Sequence, residues 1–164
     1  MKRRIIGVAA LVAVLSYACG ERQPERVLTA SKGHIAIYDA VATASAAPDV
    51  SSLYFTIANA ATFPDTLIAV STAAGTASLH TVVTDSSGVT SMRPLVGLVI
   101  PAGASVGLAP GGYHVMLTGL RRPLVAGDSI FIVLDLARAN LLRFRVPVLT
   151  YTEMVERLGT LDHE

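Results

Sequence analysis

The sequence predicts an all-β domain folded as an antiparallel sandwich or barrel. About nine short apolar or alternating segments follow one another, separated by turn sequences such as DSSG, PAG, PGG and AGD. No amphipathic helix of useful length precedes the C-terminal tail. With 164 residues, 52% hydrophobic and only 15% charged, the chain is long and apolar enough to bury one core. The predicted strands are residues 34–41, 53–59, 66–72, 78–83, 95–100, 105–108, 113–120, 129–136 and 141–149.

The N-terminus has the pattern of an export signal. MKRRIIGVAALVAVLSYACG begins with basic residues, continues with an apolar run from Ile5 to Leu15, and ends in small residues. That run is about eleven residues long, whereas a helix that spans a bilayer needs roughly 20. Residues 1–18 are therefore interpreted as a signal peptide, and the protein is expected in the periplasm or cell envelope.

Cys19 is the only cysteine of the chain and lies directly after this signal. Its neighbours Ala18 and Gly20 fit a lipoprotein cleavage site, although Ser16 occupies the position three before the cysteine, where Leu is usual. A single cysteine in an exported chain has no internal disulfide partner. We expect Cys19 to be lipidated and to anchor the protein to the membrane. The alternative is an ordinary signal peptide with an incidental cysteine.

The rest of the chain divides by composition. Residues 19–32 are polar and lack a pattern, so they are expected to be the anchor and a tether. Residues 33–150 form the predicted β domain. Residues 151–164 are a polar tail, expected to form at most a turn or two of frayed helix.

The charge balance argues against nucleic acid as a partner. Removal of Lys2, Arg3 and Arg4 with the signal leaves 10 of the 13 basic residues against 12 acidic ones. The sequence has no Trp and only 5% aromatic residues, which leaves little to stack on bases.

Histidine and methionine side chains form the main candidate site. His114 and Met116 lie two apart in a predicted strand, so they project from the same face. His80 lies near the end of an earlier strand, and Met92 follows the loop TDSSGVTS. If that loop returns the chain to the same edge of the sandwich, the four side chains can meet as a His₂Met₂ set.

The chemistry of this set favours copper. Thioethers bind hard cations poorly and favour Cu(I), whereas imidazole accepts several late transition metals. Zinc sites more often include a thiolate, a carboxylate or further imidazoles. Calcium and magnesium require oxygen ligands, which the set lacks. Cu(I) is therefore the expected metal.

The spacing of these residues resembles the PCu(A)C family of periplasmic copper chaperones. His80, eleven residues, Met92, twenty-one residues and then HVM ending at Met116 look like the family signature. The surrounding block, from SLHTVVTDSSGVTSMRPLVGLVIPAG to GGYHVMLTGLRRPLVAGDSIFIVLDL, is similar as well. The resemblance covers residues 34–149. It implies a cupredoxin-like Greek-key β-sandwich that binds one Cu(I) through His80, Met92, His114 and Met116.

The family also implies copper delivery toward cytochrome c oxidase, to a subunit or an assembly factor. Two positions depart from its pattern: Thr81 and Thr90 stand where many members have additional methionines. The departures weaken the case for a methionine-rich handover surface and leave the four ligands intact.

Other functional classes fit the residues less well. A blue-copper electron carrier needs a Cys thiolate in the domain. The sequence offers little to a redox or hydrolytic enzyme: it has no thiol pair in the domain, no GxSxG motif and no carboxylate pair placed beside a catalytic His, so we expect no catalytic activity. The remaining alternative is a non-metal β-sandwich lipoprotein that serves as a binding or scaffold module.

Overall fold

The computed structural model describes residues 26–159, so the expected signal peptide 1–18 and Cys19 lie outside the described residues. The described chain contains eleven strands and one helix. In chain order these are β1 Leu28–Lys32, β2 Ile35–Thr43, β3 Ser51–Asn59, β4 Asp65–Thr72, β5 Thr76–Thr84, β6 Thr90–Pro94, β7 Leu98–Ile100, β8 Ser105–Leu108, β9 His114–Thr118, β10 Ser129–Leu136, β11 Asn140–Leu149 and α1 Tyr151–Gly159.

The strands form the two layers of a β-sandwich. One layer has the order β6-β5-β9-β3-β2, with β1 added to β2 and β8 added to β3. The other has the order β11-β10-β4-β7. Every pairing is antiparallel except β11 with β2, which run parallel over two residue pairs and join the layers. The predicted cupredoxin-like sandwich is confirmed.

The core lies between the layers and follows from period-two alternation. In β10 and β11 every second side chain is buried and its neighbours face outward. Residues with negligible exposure come from both layers, and the largest are Phe55, Ile35, Ile37, Leu53, Ile57, Leu67, Ile100, Leu108, Leu117, Ile132, Leu134 and Leu136.

Two strands were not predicted, and both lie where side-chain patterns are weak. β6 has the sequence TSMRP, contains a proline and is exposed at all five positions. β1 has the sequence LTASK and was expected to belong to the tether. Edge strands carry little hydrophobic signal because they contribute few side chains to the core.

β1 is fixed to the domain by a buried residue at a bulge in β2. Asp39 adopts a left-handed backbone conformation, φ 55°, within a bulge of the β2–β3 pairing. Its amide donates to the carbonyl of Val27 at 2.9 Å, and its Oδ1 accepts from the Val27 amide at 2.9 Å. Residues 28–32 are therefore part of the sheet rather than tether.

The tail also differs from its prediction, because α1 is capped and packed. Thr150 and Glu153 form a reciprocal capping box: the Thr150 amide donates to Glu153 Oε2, and the Glu153 amide donates to Thr150 Oγ1. Met154 and Leu158 are buried and belong to a cluster that includes Val41. Nine residues of the tail are thus a docked helix.

Among the described residues, no helix has the length and apolar character needed to cross a bilayer.

Asp65, the first residue of β4, has a buried carboxylate that accepts hydrogen bonds from the turn between β10 and β11. Burial alone would raise the pKa of Asp65, but hydrogen bonds from the amides of Thr66, Arg138 and Ala139, together with His34, lower it below its ordinary value. Asp65 Oδ2 also lies 3.3 Å from His34 Nε2. The carboxylate therefore joins the start of β2 to the β10–β11 turn.

Substitution Asp65→Asn is expected to reduce the free energy of unfolding at pH 7 by about 2–4 kcal/mol, because buried amide donors lose a charged acceptor. Since the folded pKa of Asp65 is depressed, its contribution is complete above the unfolded pKa and is lost as pH falls through the folded pKa. Denaturant unfolding across pH 7 to 3 measures both effects. Equal acid sensitivity of the wild type and the variant would contradict this role.

Candidate metal centre

The four predicted ligands lie on three adjacent strands at one edge of the sandwich. β5 pairs with β9 so that His80 stands opposite His114 and Ser78 stands opposite Met116. β5 also pairs with β6, which places Met92 opposite Val82. Directly opposed residues share a face, and so do residues two apart in one strand. All four side chains therefore project from the same face.

That face is the outer one. Leu79 and Val115, the neighbours of the two histidines, are 5% and 0% exposed and belong to the core. The histidines must then point away from the core. Their rings contact each other, with centroids 5.8 Å apart and planes 29° apart.

His114 is held by the turn that precedes it. Its ring nitrogen Nδ1 lies 3.0 Å from the carbonyl oxygen of Gly112. A carbonyl only accepts, so Nδ1 carries the proton and Nε2 of the neutral ring keeps its lone pair. Gly111, with φ 80°, turns the backbone sharply at this point. His114 is buried, with only 6% of its surface exposed.

His80 is held by a neighbouring hydroxyl. Its Nε2 lies 3.0 Å from Ser78 Oγ. Its Nδ1 is buried and has no hydrogen-bond partner among the described residues. A buried polar atom without a partner is costly. If Nε2 donates to Ser78 Oγ, Nδ1 carries the lone pair of the neutral ring, and that lone pair is free to bind a metal.

The two methionines flank the histidine pair. Met116 lies two residues beyond His114, and Met92 lies across from Val82, two residues beyond His80. Each is thus about 7 Å along the strands from the histidine row, on opposite sides of it. Met116 is half-buried, whereas Met92 is 58% exposed. A methionine side chain has three rotatable bonds and can turn inward over the imidazoles.

The hairpin between His80 and Met92 returns the chain to the same edge of the sandwich, which was the condition for the two side chains to lie on one face. Residues between β5 and β6 reverse the chain through a turn in which Asp85 Oδ1 accepts from the amides of Ser87 and Val89. β6 returns antiparallel to β5, so Met92 reaches the same edge as His80.

The arrangement suits a soft, monovalent metal ion. Two imidazoles and two thioethers are neutral donors, and such a set favours Cu(I) over harder divalent ions. Within residues 26–159, no three His, Cys, Asp or Glu side chains lie close enough together to hold a metal. Two imidazoles and two thioethers on one face are a donor set that would fit copper.

Sequence reasoning missed the groups that orient the rings. Ser78 lies two residues before His80 and hence on the same face, which was a detectable signal. The role of the Gly112 carbonyl was not detectable, because it depends on the backbone path through the turn.

Solved structures share this fold. A copper-bound PCuAC domain from PmoF2 superposes with a TM-score of 0.63 at 22% identity, covering 74% of this chain and 97% of that domain. The apo PCuAC domain from PmoF1 gives 0.64 at 21% identity, with 74% and 98% coverage. The solution structure of CuI-DR1885 from Deinococcus radiodurans gives 0.54 at 30% identity, covering 68% of this chain and 77% of that one. The resemblance to the PCu(A)C family is confirmed.

Sequence comparison finds a lipoprotein relative and a lipoprotein family model. "Putative lipoprotein Lxx21020" of Leifsonia xyli subsp. xyli (strain CTCB07) is 41% identical over 80 residues, which are 49% of this chain and 48% of that protein. The match thus spans about half the length of this relative. The family model described as "Putative lipoprotein LpqE-like" matches residues 35–148, almost the whole β-sandwich. The chain therefore belongs to the LpqE-like lipoprotein family, whose β-sandwich here has the fold of a PCuAC domain.

Proposed function

We propose that this protein is an exported copper chaperone that carries one Cu(I) ion on His80, Met92, His114 and Met116. The observation that carries the proposal is the pair of stacked imidazoles, each with one nitrogen held by the protein and the other free. Both thioethers lie on the same face as these rings. The copper-bound PCuAC domain and CuI-DR1885 have the same fold and support this assignment.

The two histidines would bind through different ring nitrogens. The Gly112 carbonyl occupies Nδ1 of His114, which leaves Nε2 for the metal. Ser78 Oγ can accept a hydrogen bond from Nε2 of His80, which leaves the unpartnered Nδ1 for the metal. Hydrogen bonds to the second nitrogen fix the tautomer and orientation of a ligating imidazole. Ser78 and the Gly112 carbonyl are thus positioning groups of the site.

The burial of the ligands sets the route of exchange. His114 is buried, Met116 is half-buried and Met92 is exposed on the edge strand β6. A metal-binding side chain of the copper-receiving protein would therefore reach Met92 first. Copper would leave by replacement of Met92, while the histidines release it last. The protein's work is carriage by stepwise ligand exchange, without catalysis.

The acceptor and the location complete the proposal. Membership of a lipoprotein family supports lipidation of Cys19 and a place at the membrane surface of the cell envelope. Fewer than ten residues separate Cys19 from Arg26, the first described residue, so the anchored domain would stay close to the bilayer. The copper-receiving partner would be a subunit of cytochrome c oxidase or one of its assembly factors.

Titration of residues 20–164 with Cu(I) against a chromophoric chelator is expected to give one tight equivalent. His114→Ala should weaken binding at least about 100-fold, since it removes the buried ligand, and Met92→Leu should weaken it about 10-fold; each tenfold change corresponds to about 1.4 kcal/mol. Met154→Leu is the matched control, because Met154 is a buried residue of α1 outside the candidate site and the substitution roughly conserves volume. Absence of tight binding, or equal affinity of all three variants, would favour the non-metal scaffold alternative.

Substitution Ser78→Ala is expected to weaken Cu(I) binding by roughly 10-fold, in the range found for groups that orient metal ligands. Ser78→Thr should restore most of the affinity because it keeps the hydroxyl. The ring nitrogens of ¹⁵N-labelled His80, observed by NMR in the metal-free protein, should show a defined tautomer in the wild type and a mixture in Ser78→Ala. An unchanged His80 spectrum in the alanine variant would exclude this positioning role.

A further inference from the structure

A cleft of about 440 Å³ opens at the end of the sandwich where β4 ends and β10 begins. Three arginines line it, two from the segment after β9 and one from β11: Arg121, Arg122 and Arg145. None of the four candidate copper ligands lines this cleft. Its volume lies within the range of small-ligand sites.

The arginine-bearing segment is held in place by backbone contacts. The amide of Arg121 donates to the carbonyl of Ala74 at 3.0 Å. Leu124 exchanges hydrogen bonds with Ser45: its amide donates to Ser45 Oγ, and its carbonyl accepts from the Ser45 amide. The amide of Gly127 donates to the carbonyl of Val148. The wall of the cleft is therefore preformed.

Positive charge in the cleft is only partly neutralised. Asp128 pairs with Arg122 at 2.7 Å, and its carboxylate also accepts from the Val125 amide at 3.1 Å. Arg145 has only a long contact of 3.4 Å, with the Ser129 hydroxyl. The side chain of Arg121 shows no hydrogen bond or ion pair within residues 26–159. Two guanidinium groups thus remain without an anionic partner.

Apart from Thr72 and Ser129, the remainder of the lining is apolar. Leu124 and Ile130 are 4% and 6% exposed and contribute the buried part of the wall. Phe131 is 45% exposed and stands directly opposite Arg145 across the β10–β11 pair. An occupant would meet cationic and apolar groups side by side.

We propose that this cleft binds an amphipathic anion, with a phosphate or carboxylate on Arg121 and Arg145 and a hydrocarbon part against Phe131 and Leu124. Guanidinium groups bind both anions through paired hydrogen bonds, and two that lack partners attract such a ligand. An apolar chain of the ligand would cover the exposed face of Phe131. Either a free amphiphile or an anionic phospholipid in a membrane supplies this chemistry.

The probe is dihexanoyl phosphatidylglycerol, used below its micelle concentration, with dihexanoyl phosphatidylcholine as the zwitterionic comparison. Both are titrated into residues 20–164, which include every described strand and α1, and the shifts of labelled Arg and Phe131 resonances are followed by NMR. The anionic lipid should bind at least about 10-fold more tightly than the zwitterionic one. The double variant Arg121→Gln/Arg145→Gln should weaken its binding about 10-fold or more.

Arg143→Gln is the matched control. Arg143 is exposed on β11 two residues before Arg145, and it lies outside the cleft. It should leave lipid binding unchanged, and none of the variants should alter Cu(I) affinity, which separates this inference from the proposed function. Equal binding of both lipids, or equal weakening by Arg143→Gln, would overturn the proposal.

Vesicles containing phosphatidylglycerol distinguish the two sources of the ligand. Co-sedimentation that depends on Arg121 and Arg145 would identify a membrane lipid as the occupant. Binding of the short-chain lipid without co-sedimentation would identify a free amphiphile. An acidic peptide that binds in the cleft while neither lipid does would contradict the proposal.

Discussion

The candidate copper site depends on the antiparallel register between β5 and β9. That register sets His80 opposite His114 and brings their rings into contact. A slip by one residue would turn either histidine into the core, because side chains alternate between the two faces of a strand. The buried neighbours Leu79 and Val115 resist such a slip, since they would have to face solvent. The packing of the core thereby fixes the geometry of the outer face.

The same register creates a gradient of access across the site. β9 lies inside its sheet, beside β3, whereas β6 is the edge strand. The candidate ligand on the inner strand, His114, is consequently buried, and the candidate ligand on the edge strand, Met92, is exposed. Pro94 stands opposite His80 on β6 and limits the hydrogen bonding that this edge can offer to another strand. An edge of this kind leaves a side chain available for exchange while it discourages sheet extension.

Much of this could be predicted from the sequence. Turn residues and alternation gave the β-sandwich, and the two-residue spacing of His114 and Met116 placed them on one face. β1 and β6 were missed because edge strands carry little hydrophobic pattern. The docking of α1 was missed because the described helix buries just Met154 and Leu158 in the cluster with Val41, which is a weak apolar pattern in a polar tail. The arginine cleft could not be predicted from the overall charge, since Arg121 and Arg145 are distant in sequence and line the same cleft only in the fold.

X-ray absorption spectroscopy of the protein loaded with one equivalent of copper under reducing conditions tests the central claim most directly. The account predicts a Cu(I) edge and a first shell of two imidazole nitrogens and two thioether sulfurs, with one sulfur lost in Met92→Leu. A first shell without sulfur, or one that is unchanged by removal of Met92, would contradict the proposed His₂Met₂ site.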